Sequence, residues 1–126
     1  MRLTNFYSAQ KHTPGQSDTL KISVIVPTLN EASILEDSLR AISGLNPHEI
    51  IVVDGRSTDS TFLVARRMAN LVITSKPGRA YQMNAGAKKA TGDLLLFMHV
   101  DNKLSFESFK KMKKTMLLTE SNGGAF

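Results

Sequence analysis

The chain has 126 residues, 41% of them hydrophobic, and a formal net charge of +5. That is enough for one small domain with one core, on a basic surface that favours anionic partners. Cysteine is absent, which excludes disulfides and thiolate zinc sites, and no apolar run reaches the length of a membrane span.

The opening MRLTNFYSAQKHTPGQSDTL lacks the apolar stretch of a signal peptide. Residues 1–19 are therefore expected to form a polar, poorly ordered extension ahead of a domain over residues 20–126. A reducing compartment suits a cysteine-free chain, and a cytoplasmic location is the expectation. Lys21 to Pro27, KISVIVP, is β-branched and almost continuously apolar, which predicts a strand buried on both faces. Asn30 to Ser43 carries an apolar stripe at Ile34, Leu35, Leu39 and Ile42, which predicts a helix capped by Asn30. Gly44, Asn46 and Pro47 interrupt the chain. Glu49 to Asp54 reads as a second strand, followed by a tight loop at Gly55 to Thr58. A helix capped by Asp59 or Ser60 then runs to about Ala69, with Phe62, Leu63, Ala65 and Met68 on its apolar side. Leu71 to Thr74 is a short third strand, and Arg79 to Ala90 an alanine-rich helix. Leu94 to His99 forms strand four. Ser105 caps a last helix with Phe106, Phe109, Met112 and Met116 inward. Lys110, Lys111, Lys113 and Lys114 of that helix read as a solvated face, with weak membrane contact as the alternative. Nucleic acid is not expected, because no aromatic residues interleave with these lysines.

Strands alternating with helices predict right-handed βαβ crossovers and a mostly parallel sheet covered by helices, a three-layer α/β/α, Rossmann-like arrangement. Three polar loops then fall along one sheet edge: Pro27-Thr28-Leu29-Asn30-Glu31, Asp54-Gly55-Arg56-Ser57-Thr58-Asp59 and His99-Val100-Asp101-Asn102. Ligands of open α/β sheets bind outside the carboxyl ends of the strands. Strand alternation places His99 and Asp101 on one face, and an oxygen donor there suits Mg²⁺ or Mn²⁺ and hence a diphosphate. The plainer reading is a buried, hydrogen-bonded His99 and a helix-capping Asp101. Asp54 is suited to accept hydrogen bonds from a base or ribose, with Gly55 allowing close backbone approach. Ser57 suits either a phosphate or the turn itself, and Arg79 precedes a helix N-terminus that attracts anions. No GxxxxGK[ST], GxGxxG or GxSxG stretch occurs, which removes support for P-loop, dinucleotide-binding and serine-hydrolase readings.

ISVIVPTLNEASILEDSLRAI, EIIVVDGRSTDST and GRAYQMNAGAKKATGDLLLFMHVDN resemble the family 2 glycosyltransferases of the GT-A fold. The likeness is to a subgroup of small bacterial enzymes with a GRARQMNAGA-type helix and a HAD-type metal motif. It implies a nucleotide-diphospho-sugar transferase domain, with UDP- or GDP-sugar as donor. By position, Pro27, Thr28, Asn30 and Glu31 would line the nucleoside pocket. Asp54 would bind the base or ribose, with Gly55 and Ser57 beside it. Arg79 and Asn84 would approach the diphosphate or base. Asp101 would hold Mn²⁺ or Mg²⁺, with His99 standing where many relatives have the first Asp of Asp-x-Asp. An imidazole there suits Mn²⁺ better than Mg²⁺. Arg56 and Ser60 stand where the subgroup usually has glycine.

The resemblance ends at Gly123-Gly124-Ala125-Phe126, whereas relatives continue into a part that supplies the acceptor pocket and the acidic base. The expectation is thus a truncated, donor-binding half, possessing no residue in the place of that base. Alternatives are a non-catalytic nucleotide-sugar-binding module and an oligomeric structural fragment. The predicted strand order is 3-2-1-4. Strand four would lie exposed at one edge, which would drive homo-oligomer formation through that edge.

Overall fold

In the computed structural model, residues 8–10, 20–101 and 105–121 are described. The elements are β1 (Ser8–Gln10), β2 (Ile22–Thr28), α1 (Ala32–Gly44), β3 (Glu49–Asp54), α2 (Thr61–Met68), β4 (Leu71–Thr74), α3 (Arg79–Lys89), β5 (Leu94–Phe97) and α4 (Phe106–Ser121). They build one sheet in the order β1-β5-β2-β3-β4. The pairs β2–β3, β2–β5 and β3–β4 are parallel, as the strand–helix alternation predicts.

Side-chain alternation along the strands divides the core in two. On one face Ile22, Val24, Val26, Val52, Leu94 and Leu96 meet Leu35, Leu39 and Ile42 of α1, Val64 and Ala65 of α2, and Phe109 and Met112 of α4. On the other, Ile25, Ile51, Val53, Leu95 and Phe97 meet Met83 of α3. Gly86 brings α3 down onto the sheet: a Cβ there would lie 2.5 Å from Ile25 Cγ2 and 3.0 Å from Val53 Cγ2. The three-layer α/β/α expectation therefore holds.

Two expectations about the sheet are corrected. Strand four is not an open edge, because Ser8–Gln10 pairs antiparallel with β5 in the register Ser8↔Leu96 to Gln10↔Leu94. Part of the supposed polar extension thus occupies the apolar edge, and the expected homo-oligomer loses its driving force there. The remaining extension residues, 1–7 and 11–19, lie outside the described residues, as do Asn102, residues 122–126 and the side chains of Phe106 and Met116.

Strand four is also shorter than predicted, ending at Phe97 rather than His99. Pro27 supplies the reason. The Met98 N–H donates to the Ile25 carbonyl (2.9 Å), so Ile25 bonds toward β5. Alternation turns Pro27 to the same side, and it has no N–H with which to continue the ladder.

Asn30 does not cap α1. It sits at φ 51°, and Glu31 takes the cap position. Arg56 likewise has a left-handed backbone, φ 67°, which disfavours a side chain other than Gly, Asn or Asp. Arg56→Gly is expected to raise the unfolding free energy by about 0.5–1 kcal/mol, the relieved strain being partly offset by glycine's greater unfolded-state entropy. Urea denaturation tests this, and an unchanged or lower value contradicts it.

Candidate functional site

The parallel register puts Thr28, Asp54 and Thr74 in one row at the carboxyl edge of the sheet. The loops leaving that row are tied together by their own side chains. The Asn30 N–H donates to Ser57 Oγ (2.8 Å), and Asn30 Oδ1 accepts from the Thr58 N–H (2.7 Å). The Glu31 N–H donates to Thr61 Oγ1 (2.8 Å), and the Ala32 N–H to Asp59 Oδ2 (3.3 Å). Asp59 accepts from both the hydroxyl and the N–H of Thr61, and these bonds hold its carboxyl below the usual carboxylate range. The β2–α1 and β3–α2 loops therefore form a single unit.

Asp54 anchors that unit from below. It is buried; its carboxylate accepts from Ser57 Oγ (2.5 Å), the Ser57 N–H (2.9 Å) and Thr28 Oγ1 (3.3 Å). The chain itself thus uses most of this carboxylate's accepting capacity.

Above the row lies a cleft of about 230 Å³, lined by Pro27, Thr28, Glu31, Arg79, Gln82, Met83, Phe97, Met98 and His99. Its floor is apolar, and its rim carries Glu31, Arg79 and His99. Glu31 Oε1 accepts from the Leu29 N–H (3.0 Å), while Oε2 lies 3.9 Å from His99 Nε2. The other ring nitrogen, His99 Nδ1, is 2.7 Å from Asp101 Oδ1. His99 and Asp101 are thus adjacent, through the loop after β5 and not through strand alternation. Both are substantially exposed, at 49% and 69% of their side chains, so His99 is not the buried histidine of the plainer reading.

Five of the expected residues, Pro27, Thr28, Glu31, Arg79 and His99, line the cleft. Asn30, Asp54, Gly55 and Ser57 belong to the loop unit beside it. Asp101 faces a second groove, of about 700 Å³, between α1 and the start of α4, which it shares with Ile34, Ser38 and Val100. There the Ser38 hydroxyl bonds the Val100 carbonyl. Asn84 lies exposed on α3 and does not line the cleft.

Sequence reasoning missed Gln82. It is buried, donates from Nε2 to the carbonyls of Thr28 and Val53 (both 2.9 Å), and accepts the Gly78 N–H at Oε1 (3.2 Å). Its one sequence signal is its place in Gly78-Arg79-Ala80-Tyr81-Gln82, one helical turn after a helix-starting glycine.

Among the described residues no three His, Cys, Asp or Glu side chains converge into a metal cage. Among the described residues, His99 on the rim of the cleft and Asp101 beside it form an exposed pair of donors. This fits an ion that takes its other ligands from a diphosphate and water, the usual habit of Mg²⁺ and Mn²⁺.

The family model for glycosyl transferase family 2 matches residues 23–122. The chain belongs to glycosyl transferase family 2. It is 35% identical over 92 residues to dolichol-phosphate mannosyltransferase of Pyrococcus furiosus, covering 65% of this chain and 26% of that one. It is 37% identical over 91 residues to a PGL/p-HBAD biosynthesis glycosyltransferase of Mycobacterium bovis, covering 65% of this chain and 36% of that one. Among solved structures, it resembles glucosyl-3-phosphoglycerate synthase from Mycobacterium tuberculosis in complex with Mn²⁺, UDP and glucosyl-3-phosphoglycerate. That likeness has TM-score 0.60 and 27% identity over 71% of this chain and 39% of that one. Mannosyl-3-phosphoglycerate synthase from Rubrobacter xylanophilus gives TM-score 0.62 and 25% identity, with 68% and 32% covered. The sheet and its helices are those of the GT-A glycosyltransferase fold. The family 2 chain described here spans between 26% and 39% of the length of these relatives. None of its described helices is long and apolar enough to cross a membrane.

Proposed function

We propose that this chain is the donor-binding part of a glycosyltransferase and takes the UDP portion of a nucleotide sugar, with a divalent metal, in the cleft between β2 and α3. The observation that supports this most is the convergence of Thr28, Glu31, Arg79 and His99 on one cleft at the carboxyl edge of the sheet. A structural relative of the same fold carries UDP and Mn²⁺.

In this reading each group has a task set by its geometry. Arg79, at the first turn of α3, offers a cation to the diphosphate beside the helix's positive end. Asp54 and Ser57 keep the loop around the nucleoside in one shape, so Asp54 acts chiefly by ordering that loop. Glu31 closes the cleft beside His99. Asp101 and His99 hold the metal, Mn²⁺ being favoured over Mg²⁺ by the imidazole. When bound, the metal supplies positive charge that offsets the charge developing on the leaving diphosphate. This metal pair supports assignment of the chain to the HAD-type subgroup. No residue is assigned as the base for an acceptor hydroxyl, so the activity proposed for this chain is donor binding. UDP is preferred to GDP on the strength of the Mn²⁺- and UDP-bound relative. The lack of cysteine suits the reducing cytoplasm as the place of action.

Calorimetric titration of UDP with and without Mn²⁺ tests the reading. The expected result is binding that strengthens at least about tenfold with Mn²⁺, with the gain lost in Asp101→Ala. Equal affinity with and without metal contradicts the metal assignment, and failure of both UDP and GDP to bind contradicts the donor site.

A further inference from the structure

The geometry points to Gln82 as a positioning residue for donor binding that acts through Arg79, an inference that rests on the reading of the cleft as the UDP site. A buried polar side chain is unfavourable unless its hydrogen bonds are made, and an apolar side chain would fill this place more simply. Gln82 is only 5% exposed, and its amide makes three bonds to the backbones of three separate segments. Two of them go to the carbonyls of Thr28 and Val53, at the ends of adjacent strands. The third comes from the N–H of Gly78, the residue before Arg79. The Gln82 backbone N–H also donates to the Gly78 carbonyl (2.9 Å), so residue 78 is held from both sides.

One side chain therefore sets the spacing between the sheet edge and the start of α3. Arg79 follows directly on that fixed point, on the rim of the cleft. Gly55 completes the arrangement: a Cβ there would lie 3.1 Å from Gln82 Nε2, so a side chain at residue 55 would press on the amide. The amide thus holds the start of α3, and with it Arg79, against the sheet edge, a task that a same-sized apolar side chain cannot perform.

The test is a double-mutant cycle on UDP affinity in the presence of Mn²⁺, using the wild-type chain, Gln82→Met, Arg79→Ala and the double variant. The two single variants are each expected to weaken UDP binding about tenfold, and the double variant to match Arg79→Ala within about twofold, because the displaced group is then already gone. Losses that multiply to about a hundredfold overturn the inference, as does a Gln82→Met chain that binds UDP like the wild type. If Gln82→Met does not fold, Gly55→Ala takes its place. It keeps the amide but pushes it, and the same non-additivity with Arg79→Ala is expected; wild-type affinity in Gly55→Ala overturns the inference. A wild-type chain that binds no UDP instead overturns the site reading and this inference with it.

Discussion

Asp54→Ala is expected to lower the unfolding free energy by about 3 kcal/mol and to abolish measurable UDP binding. Asp54 is 3% exposed, and its carboxylate accepts three hydrogen bonds, two of them from Ser57. Hydrogen bonds to a charged acceptor contribute about 1.5–3 kcal/mol each, but the freed hydroxyls of Thr28 and Ser57 can partly turn to water, so the net loss falls below the sum. The effect spreads because Ser57 Oγ also accepts the Asn30 N–H (2.8 Å). Freeing Ser57 thus loosens Asn30, and with it the loop that carries Glu31 into the cleft. Asp54→Asn keeps one accepting oxygen but turns an NH₂ toward existing donors, and is expected to lose about half as much. Urea denaturation and UDP calorimetry read both effects. Wild-type affinity in a folded Asp54→Ala chain contradicts the anchoring role.

Gly92→Ala is expected to be as destabilising, for a reason unconnected with the cleft. A Cβ at this position would lie 2.5 Å from Ser23 Oγ, 2.7 Å from the Lys21 carbonyl oxygen and 2.9 Å from the Ser23 nitrogen. Two of these atoms are backbone and cannot rotate away. Residue 92 also sits in a hydrogen-bonded chain at the amino edge of the sheet. Its N–H donates to Ser23 Oγ (2.8 Å), which donates to Glu49 Oε2 (2.6 Å). Glu49 accepts the Thr91 N–H as well (2.7 Å). Burial pushes the Glu49 carboxyl up, but the bonds from Ser23 and Thr91 outweigh it and leave the group below its ordinary value. The substitution must move β2 or the turn before β5, at a cost of about 3 kcal/mol, or about 12 °C in Tm for a domain of this size. The chain that remains folded should bind UDP normally, since this network lies at the opposite end of the sheet from the cleft. A Tm within about 2 °C of wild type contradicts the packing argument.

The contrast between these positions marks what the sequence makes legible. The β-branched runs from Ile22 and from Glu49, and the apolar stripe of α1, state their structure locally, because burial and periodicity act within one element. The parallel pairing of the four strands followed from their alternation with helices, whereas their order came with the resemblance to the family 2 glycosyltransferases. Ser8–Gln10 could not be read this way: Ser-Ala-Gln has no strand signal, and only the unpaired edge of β5 makes it a strand. The early end of β5 was present in the sequence, but in Pro27, a residue of the neighbouring strand. It becomes visible only when the register is known.

The site divides along the same line. Thr28, Glu31, Arg79 and His99 were legible because they lie at strand or helix ends, where topology makes loops converge. Asn84 was misplaced and Gln82 overlooked because α3 is rich in small residues and presents no strong apolar stripe. A helix advances about 100° per residue, so two positions separate an inward from an outward side chain. A glutamine is taken to face water by default. The buried amide of Gln82 is explained by three backbone partners that come from distant parts of the chain.

The central claim is that the cleft lined by Thr28, Glu31, Arg79 and His99 receives UDP with a divalent metal. Amide chemical-shift mapping of the ¹⁵N-labelled chain tests it most directly, first with UDP and Mg²⁺, then with Mn²⁺ as a relaxation probe. The account predicts shifts confined to the amides of residues 28–31, 55–58, 78–83 and 97–101, and Mn²⁺ broadening centred on His99 and Asp101. Shifts centred elsewhere, such as the groove of Ile34 and Ser38 or the amino edge around Glu49 and Thr91, would contradict it, as would the absence of any UDP-dependent shift.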